Sequence, residues 1–163
     1  MLRRRYIASL LGALLMIGMG ACSGENCPIN NTVQGKMAFY NQKGVSVGIN
    51  VSLTMSVVRP QGDSVVLNQK YGASDVLFPL SYTHTTDTLI FCYANDGAVA
   101  YDSIYISHNN TPTLVSVDCG TAMFHTITAV SSTHHLIESV ILKSSEVNYD
   151  ERENIQVIYL TAD

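Results

Sequence analysis

The sequence predicts an all-β fold, an antiparallel β-sandwich of immunoglobulin-like or transthyretin-like kind with about nine or ten strands. Three observations carry that reading. Val45, Val47, Ile49, Val51, Leu53, Met55 and Val57 alternate with Ser46, Gly48, Asn50, Ser52, Thr54 and Ser56. Apolar residues at period two give an extended strand one buried face, where a helix would scatter them around its circumference. Short apolar runs then recur about every 8–12 residues between turn formers, and none has a convincing helical period. Finally, Ser, Thr, Asn, Val and Ile are abundant and Trp is absent, a composition suited to strands.

The first element is not part of that fold. Arg3-Arg4-Arg5 precede an apolar run from Tyr6 to Met19, a basic region and then a run too short to cross a bilayer comfortably. Met19-Gly20-Ala21-Cys22 resembles a lipobox, the bacterial signal in which small residues precede a cysteine that is diacylated, cleaved and made the new N-terminus. Residues 1–21 are therefore expected to be a lipoprotein signal peptide and Cys22 the lipidated residue, of the palmitate-bearing class. Residues 22–32 follow as a polar tether with turn formers, and residues 33–163 as a single β-sandwich domain.

Within the domain the first predicted strand is Val33 to Tyr40, ended by Asn41-Gln42-Lys43-Gly44. The alternating segment Val45 to Val57 exceeds the usual strand length, which predicts a bend or bulge at Gly48. Arg59-Pro60-Gln61-Gly62-Asp63 reads as a turn and Ser64 to Lys70 as the returning strand. Asp75 to Leu80 is weaker, because Pro79 confines it to a sheet edge or a strand end. Leu89 to Tyr93 and Val99 to Ser107 are strong strands, the second stopped by His108-Asn109-Asn110-Thr111-Pro112. Leu114 to Cys119, Met123 to Val130, His135 to Lys143 and Ile155 to Leu160 complete the series. The acidic loop Asn148 to Asn154 reads as a solvated hairpin end.

Cleavage before Cys22 leaves 142 of the 163 residues, one ordinary domain. The mature chain keeps six Lys+Arg against thirteen Asp+Glu, a net charge near −7. That balance argues against nucleic-acid binding, which needs basic patches, and against electrostatic adhesion to anionic lipid. Membrane contact is left to the acyl chains, and two or three of these anchor stably.

Cys22-Ser-Gly-Glu-Asn-Cys27-Pro-Ile-Asn-Asn-Thr-Val33, Val117-Asp-Cys-Gly120, Phe124-His-Thr-Ile-Thr128, Thr133-His-His-Leu-Ile-Glu-Ser-Val140 and Val147-Asn-Tyr-Asp150 with Glu153-Asn-Ile155 resemble, in that order, an uncharacterised family of small lipoproteins from Bacteroidota. The resemblance covers most of the mature chain. It implies a lipid-anchored extracytoplasmic β domain with Cys22, Cys27 and Cys119 belonging to the pattern and Cys92 outside it. It implies no activity.

With Cys22 lipidated, Cys27, Cys92 and Cys119 remain, and an exported setting favours one disulfide and one thiol left over. Cys92 stands between Phe91 and Tyr93 in an apolar strand, where a free cysteine behaves as a small buried hydrophobe. Cys27 and Cys119 lie beside Pro28 and Gly120 at element ends, so the expected bridge is Cys27–Cys119. His84, His108, His125, His134 and His135 have no zinc-like spacing, and adjacent residues such as His134 and His135 face opposite sides of a strand. They read as surface or cross-strand histidines, with no metal and no cofactor expected. No G-x-S-x-G elbow, Walker loop or H-E-x-x-H motif is present, so no enzyme is expected. Asp63-Ser64-Val65, Asp87-Thr88-Leu89 and Asp102-Ser103-Ile104 resemble the O-glycosylation signal of exported Bacteroidota proteins, with Ser64, Thr88 and Ser103 as acceptors.

The expected function is a non-enzymatic, lipid-anchored envelope protein acting through contacts with other envelope proteins, as an accessory or structural subunit. The alternative is a surface glycan-binding module, with Tyr40, Tyr71, Tyr82, Tyr101 and Tyr149 standing in for tryptophan against sugar rings. Only Glu25 is acidic just after Cys22, which favours an outer-membrane protein facing the periplasm over surface exposure. A short tether bridged to Cys119 holds the Cys119-Gly120 end of the domain close to the bilayer.

Overall fold

The structure, a computed structural model, describes Cys27 and residues 32–160. The expected signal peptide and Cys22 lie outside the described residues. Ten strands form a β-sandwich: β1 (Gln34–Asn41), β2 (Ser52–Val57), β3 (Ser64–Lys70), β4 (Asp75–Pro79), β5 (Thr86–Asn95), β6 (Ala98–Ser116), β7 (Gly120–Ser132), β8 (Ile137–Leu142), β9 (Glu146–Val147) and β10 (Glu153–Tyr159). One sheet has the order β4-β1-β10-β8 and the other β3-β2-β5-β6-β7-β9. Every pairing is antiparallel except β1 with β10, which run parallel from Lys36↔Glu153 to Asn41↔Tyr159.

The inward residues of both sheets close one core, in which Phe39, Phe78, Phe91, Leu53, Met55, Ile104 and Ile155 have no accessible surface. The Phe39 ring meets Phe91 and Tyr159 edge-on, at 6.4 and 5.7 Å between centroids. Gly35 is required by packing, since a Cβ there would lie 2.3 Å from the Phe78 ring.

Two expectations are corrected. The long alternating segment is a strand only from Ser52 onward. Its first half crosses from one sheet to the other: Ser46 bridges Tyr40 of the smaller sheet, and Ile49 bridges Ala73. Gly48 packs on the Gly72 backbone, where an added Cβ would be 3.1 Å from the carbonyl oxygen. An extended crossover keeps the two-residue period, which is why the pattern resembles one strand. Second, His108 to Pro112 is no turn. β6 runs through it, with a register shift at Ser107/His108. Beyond Ser107 the partner β5 has ended, so this half of β6 pairs only with β7, and Pro112 sits where one edge has no ladder to break.

Asp102, buried in the first half of β6, fastens the β7–β8 connection. Its oxygens accept from the backbone N–H groups of His135 at 2.9 Å and Leu136 at 2.8 Å, and from the Thr133 hydroxyl at 2.7 Å.

Candidate functional site

At the opposite end of β5 from its hairpin with β6, a second buried acid organises a polar cluster. Asp87 is 4% exposed, yet it accepts from three directions. Its Oδ1 pairs with Arg59 Nη1, and its Oδ2 takes the Ser81 N–H at 2.7 Å and faces His108 Nε2 at 2.9 Å. The Arg59-Pro60-Gln61-Gly62 turn is closed by the Gly62 N–H on the Arg59 carbonyl at 3.0 Å. That turn brings the guanidinium over the acid from the β2–β3 side.

The histidines come from β6 and β7. His108 and His125 are each 1% exposed, and their rings meet edge to face at 5.2 Å. His125 Nδ1 lies 2.7 Å from Asn110 Oδ1, while Asn110 Nδ2 donates to the His84 carbonyl at 2.9 Å. Since that amide orients its oxygen towards the ring, His125 donates from Nδ1. Burial, then the neighbouring His108, lowers the His125 pKa to about 4, so its ring is neutral near pH 7. Tyr82 stacks on it at 5.8 Å between centroids, with the planes 28° apart.

Above this cluster lies a recess of about 360 Å³ lined by Arg59, Gln61, Ser81, Tyr82, Thr83 and His84 among others. A second recess, of about 300 Å³, shares Arg59, Pro60 and His84 and reaches Asp87. His84 Nδ1 is 3.1 Å from both the Ser81 and Thr83 hydroxyls, which fixes its ring. The arrangement presents directed donors and acceptors beside one exposed aromatic ring. Among the described residues, no group of three or more His, Cys, Asp or Glu gathers as a metal cluster.

The sequence reading missed that His108 and His125 are core residues. The signal was available: Ile104, Ile106, His108 and Asn110 continue one alternation, as do His125 and Ile127.

The other candidates are dispersed. Cys27 and Cys119 form the expected disulfide, with Cα atoms 5.3 Å apart and a separation of 92 positions in sequence. It sits at the Val117–Cys119 turn of the β6–β7 hairpin, whose Val117 is 92% exposed. Cys92 is unbridged, as expected, but it is not a core residue. Phe91 and Tyr93 take the inward positions, so Cys92 points outward, half-buried and opposite Tyr101.

Ser64 is exposed at the start of β3, whereas Thr88 and Ser103 are half-buried within paired strands. The acids preceding these two are the buried Asp87 and Asp102, which accounts structurally for two of the three Asp-Ser/Thr-apolar triplets. The five tyrosines lie on separate elements. Tyr40 donates to Glu153 at 2.7 Å, and Tyr149 packs edge-on against Phe124. Tyr71 and Tyr101 are widely exposed. Tyr101, Tyr105 and Val99 share the outward face of the larger sheet with Ser52, Thr54, Ser56, Ile90 and Ser103, and none of these is charged.

A family model described as a family of unknown function, DUF6452, matches residues 52–159, from the first residue of β2 to the last of β10. No curated protein and no solved structure matches the chain. Among the described residues no helix is long and apolar enough to cross a membrane.

Proposed function

This chain belongs to DUF6452, a family of unknown function, and from that premise we propose a non-enzymatic, lipid-anchored protein of the bacterial cell envelope. It is attached to the outer membrane through acyl chains on Cys22, faces the periplasm, and acts by contact with neighbouring envelope proteins as an accessory or structural subunit. The Bacteroidota lipoprotein resemblance and the lipobox-like Met19-Gly20-Ala21-Cys22 support the anchor.

The observation that carries the reading is the Cys27–Cys119 bridge. Five residue steps separate Cys22 from Cys27, and five extended residues reach at most about 17–18 Å. With Cys27 pinned to the β6–β7 turn, the tether gains no length by peeling chain from the sandwich. The domain is held against its membrane, within reach of proteins in the same bilayer. The uncharged outward face around Tyr101 and Tyr105 suits contact with them. Inserting a flexible linker of about twenty residues between Glu25 and Asn26, long enough to lift the domain well clear, tests this. Crosslinks to membrane proteins should fade while folding and lipidation persist, and partners that survive the longer stalk would refute the reading. Proteinase digestion of intact cells checks the periplasmic orientation, with cleavage before permeabilisation indicating the cell surface. Ser64 is the acceptor of the three Asp-Ser/Thr motifs best placed for O-glycosylation, because its motif is exposed throughout.

A second reading, a glycan-binding module, draws support from the recess at Arg59, Tyr82 and His84, where polar groups converge beside an exposed aromatic ring.

A further inference from the structure

We propose that the recess formed by Arg59, Tyr82 and His84 binds a neutral saccharide, with one sugar ring stacked on Tyr82 and its hydroxyls held by Arg59 and the neighbouring polar groups. This rests on the glycan-binding reading and assigns it a site, an orientation and a ligand class.

The first argument is preorganisation. Each functional side chain at the rim is held by a partner beneath or beside it. Tyr82 stacks, offset and tilted by 28°, on the buried His125, Arg59 is gripped by the buried Asp87, and His84 is fixed by the Ser81 and Thr83 hydroxyls. Groups already fixed in place lose little freedom when a ligand arrives, which is where weak polar ligands gain affinity.

The second argument concerns what lies underneath. Asp87, His108 and His125 occupy core positions on strands that elsewhere bury Ile106, Ile127 and Leu89. Replacing a buried polar network by aliphatic residues of similar volume is often neutral or stabilising. A core built for stability alone has no need of this network. Its accessible product is the fixed arrangement of Arg59 and Tyr82 at the surface.

The third argument selects the ligand. Tyr82 keeps 46% of its surface exposed although it is stacked on His125, a ring platform suited to the apolar face of a sugar. Arg59 supplies several donors in a rigid plane, and Gln61, Ser81, Thr83 and His84 add shorter-range donors and acceptors. The Arg59 charge is already matched by Asp87. The recess therefore offers directed hydrogen bonds without a surplus cation, which favours hydroxyl-rich neutral ligands over carboxylates and phosphates. The two adjoining recesses, about 360 and 300 Å³, are in the size range of small-ligand sites. Among the described residues that line them, Asp87 is the one carboxyl, while hydrolysis of a glycosidic bond takes a pair. The site binds and does not cleave.

The test uses the lipidated mature chain purified in detergent and probed on an array of neutral and uronic-acid-containing oligosaccharides. Titration calorimetry follows with the best neutral oligosaccharide. Neutral glycans should bind with little difference between low and high salt. Tyr82→Ala, on an exposed loop, should weaken binding about tenfold or more, while Tyr82→Trp retains it. Arg59→Gln should weaken binding in the same way, with thermal unfolding monitored to confirm the fold. If glycans bind but Tyr82→Ala leaves affinity unchanged, the glycan-binding reading stands and this site is wrong. Preference for uronic acids with steep salt dependence overturns the ligand class. If no glycan binds, the reading and the site fall together.

Discussion

Ile137, the first residue of β8, donates its backbone N–H to Asp102 Oδ2 at 3.1 Å, across 35 residues of sequence. Asp102 thereby ties the larger sheet to the first residue of an edge strand of the smaller one. Burial alone pushes this carboxyl up. The His135 N–H, the Thr133 hydroxyl and the Leu136 and Ile137 N–H groups outweigh it, and the pKa lies below the ordinary carboxylate value.

Asp102→Ala should therefore destabilise the fold strongly, by about 3–5 kcal/mol, because it leaves several N–H groups without their acceptor. Asp102→Asn, with a single acceptor oxygen, should cost less. Urea unfolding of both variants measures the difference. A loss below about 1 kcal/mol for Asp102→Ala would show that the clamp contributes little.

Stability should also fall in mild acid. His125 titrates near 4 in the fold against about 6.5 in an unfolded chain. Between those values the unfolded state binds more protons, so stability drops as pH falls from about 6.5 to about 4, by up to about 3 kcal/mol in all. His125→Phe should flatten that part of the profile in urea titrations collected across the window. A variant profile as steep as the parent's assigns the dependence to other groups.

Reducing the Cys27–Cys119 bridge releases a loop of about ninety residues, and on the chain-entropy model the loss reaches about 4–5 kcal/mol. Non-reducing peptide mapping should recover Cys27 and Cys119 in one linked fragment. Iodoacetamide applied to the native protein should label Cys92, which is half-buried on the outward face. Labelling that begins only after unfolding would place Cys92 in the core after all.

Cys22→Ala should abolish membrane attachment, leaving an uncleaved precursor or a released protein. Fractionation and mass spectrometry of the N-terminal peptide provide the readout. A variant processed and retained as before would exclude Cys22 as the anchor.

The legible and illegible parts of this fold differ in kind. Short apolar runs between turn formers located β1, β2, β3, β5, β7 and β10; β3 has no buried residue, while β2 carries the strict two-residue alternation of one wet and one dry face. The same signal overran its strand at Val45–Val51, since a crossover that stays extended alternates as a strand does. Turn chemistry misled at His108–Pro112, where Asn109, Asn110 and Pro112 look like punctuation and pairing with β7 overrides them. The disulfide could be read from the sites of three cysteines. The inward positions of His108 and His125 were legible in the alternation of β6 and β7, but their meeting with Asp87 was not, because it depends on which strands become neighbours. Asn154 was hidden for the same reason. It lies in a loop predicted to be solvated, yet it is buried and bonds Lys36, Ser144 and Glu146.

The parallel pairing of β1 with β10 has a bearing on how the molecule comes into being. β10 lies between β1 and β8, so the smaller sheet lacks a central member until residues 153–159 have arrived. A chain synthesised or threaded through a translocation pore from its N-terminus delivers β1 early and must wait almost its whole length for β1's partner. Meanwhile the edge of β1 that β10 will cover, and the aromatic core around Phe39, stay open to solvent and to other chains. The larger sheet can begin from local hairpins, β2–β3 and β5–β6 first, whereas closing the second layer is a long-range and therefore slow event. The interval between emergence and closure is when a holding chaperone has most to protect, and closure places Tyr159 edge-on against the Phe39 and Tyr93 rings, at 5.7 and 5.9 Å between centroids.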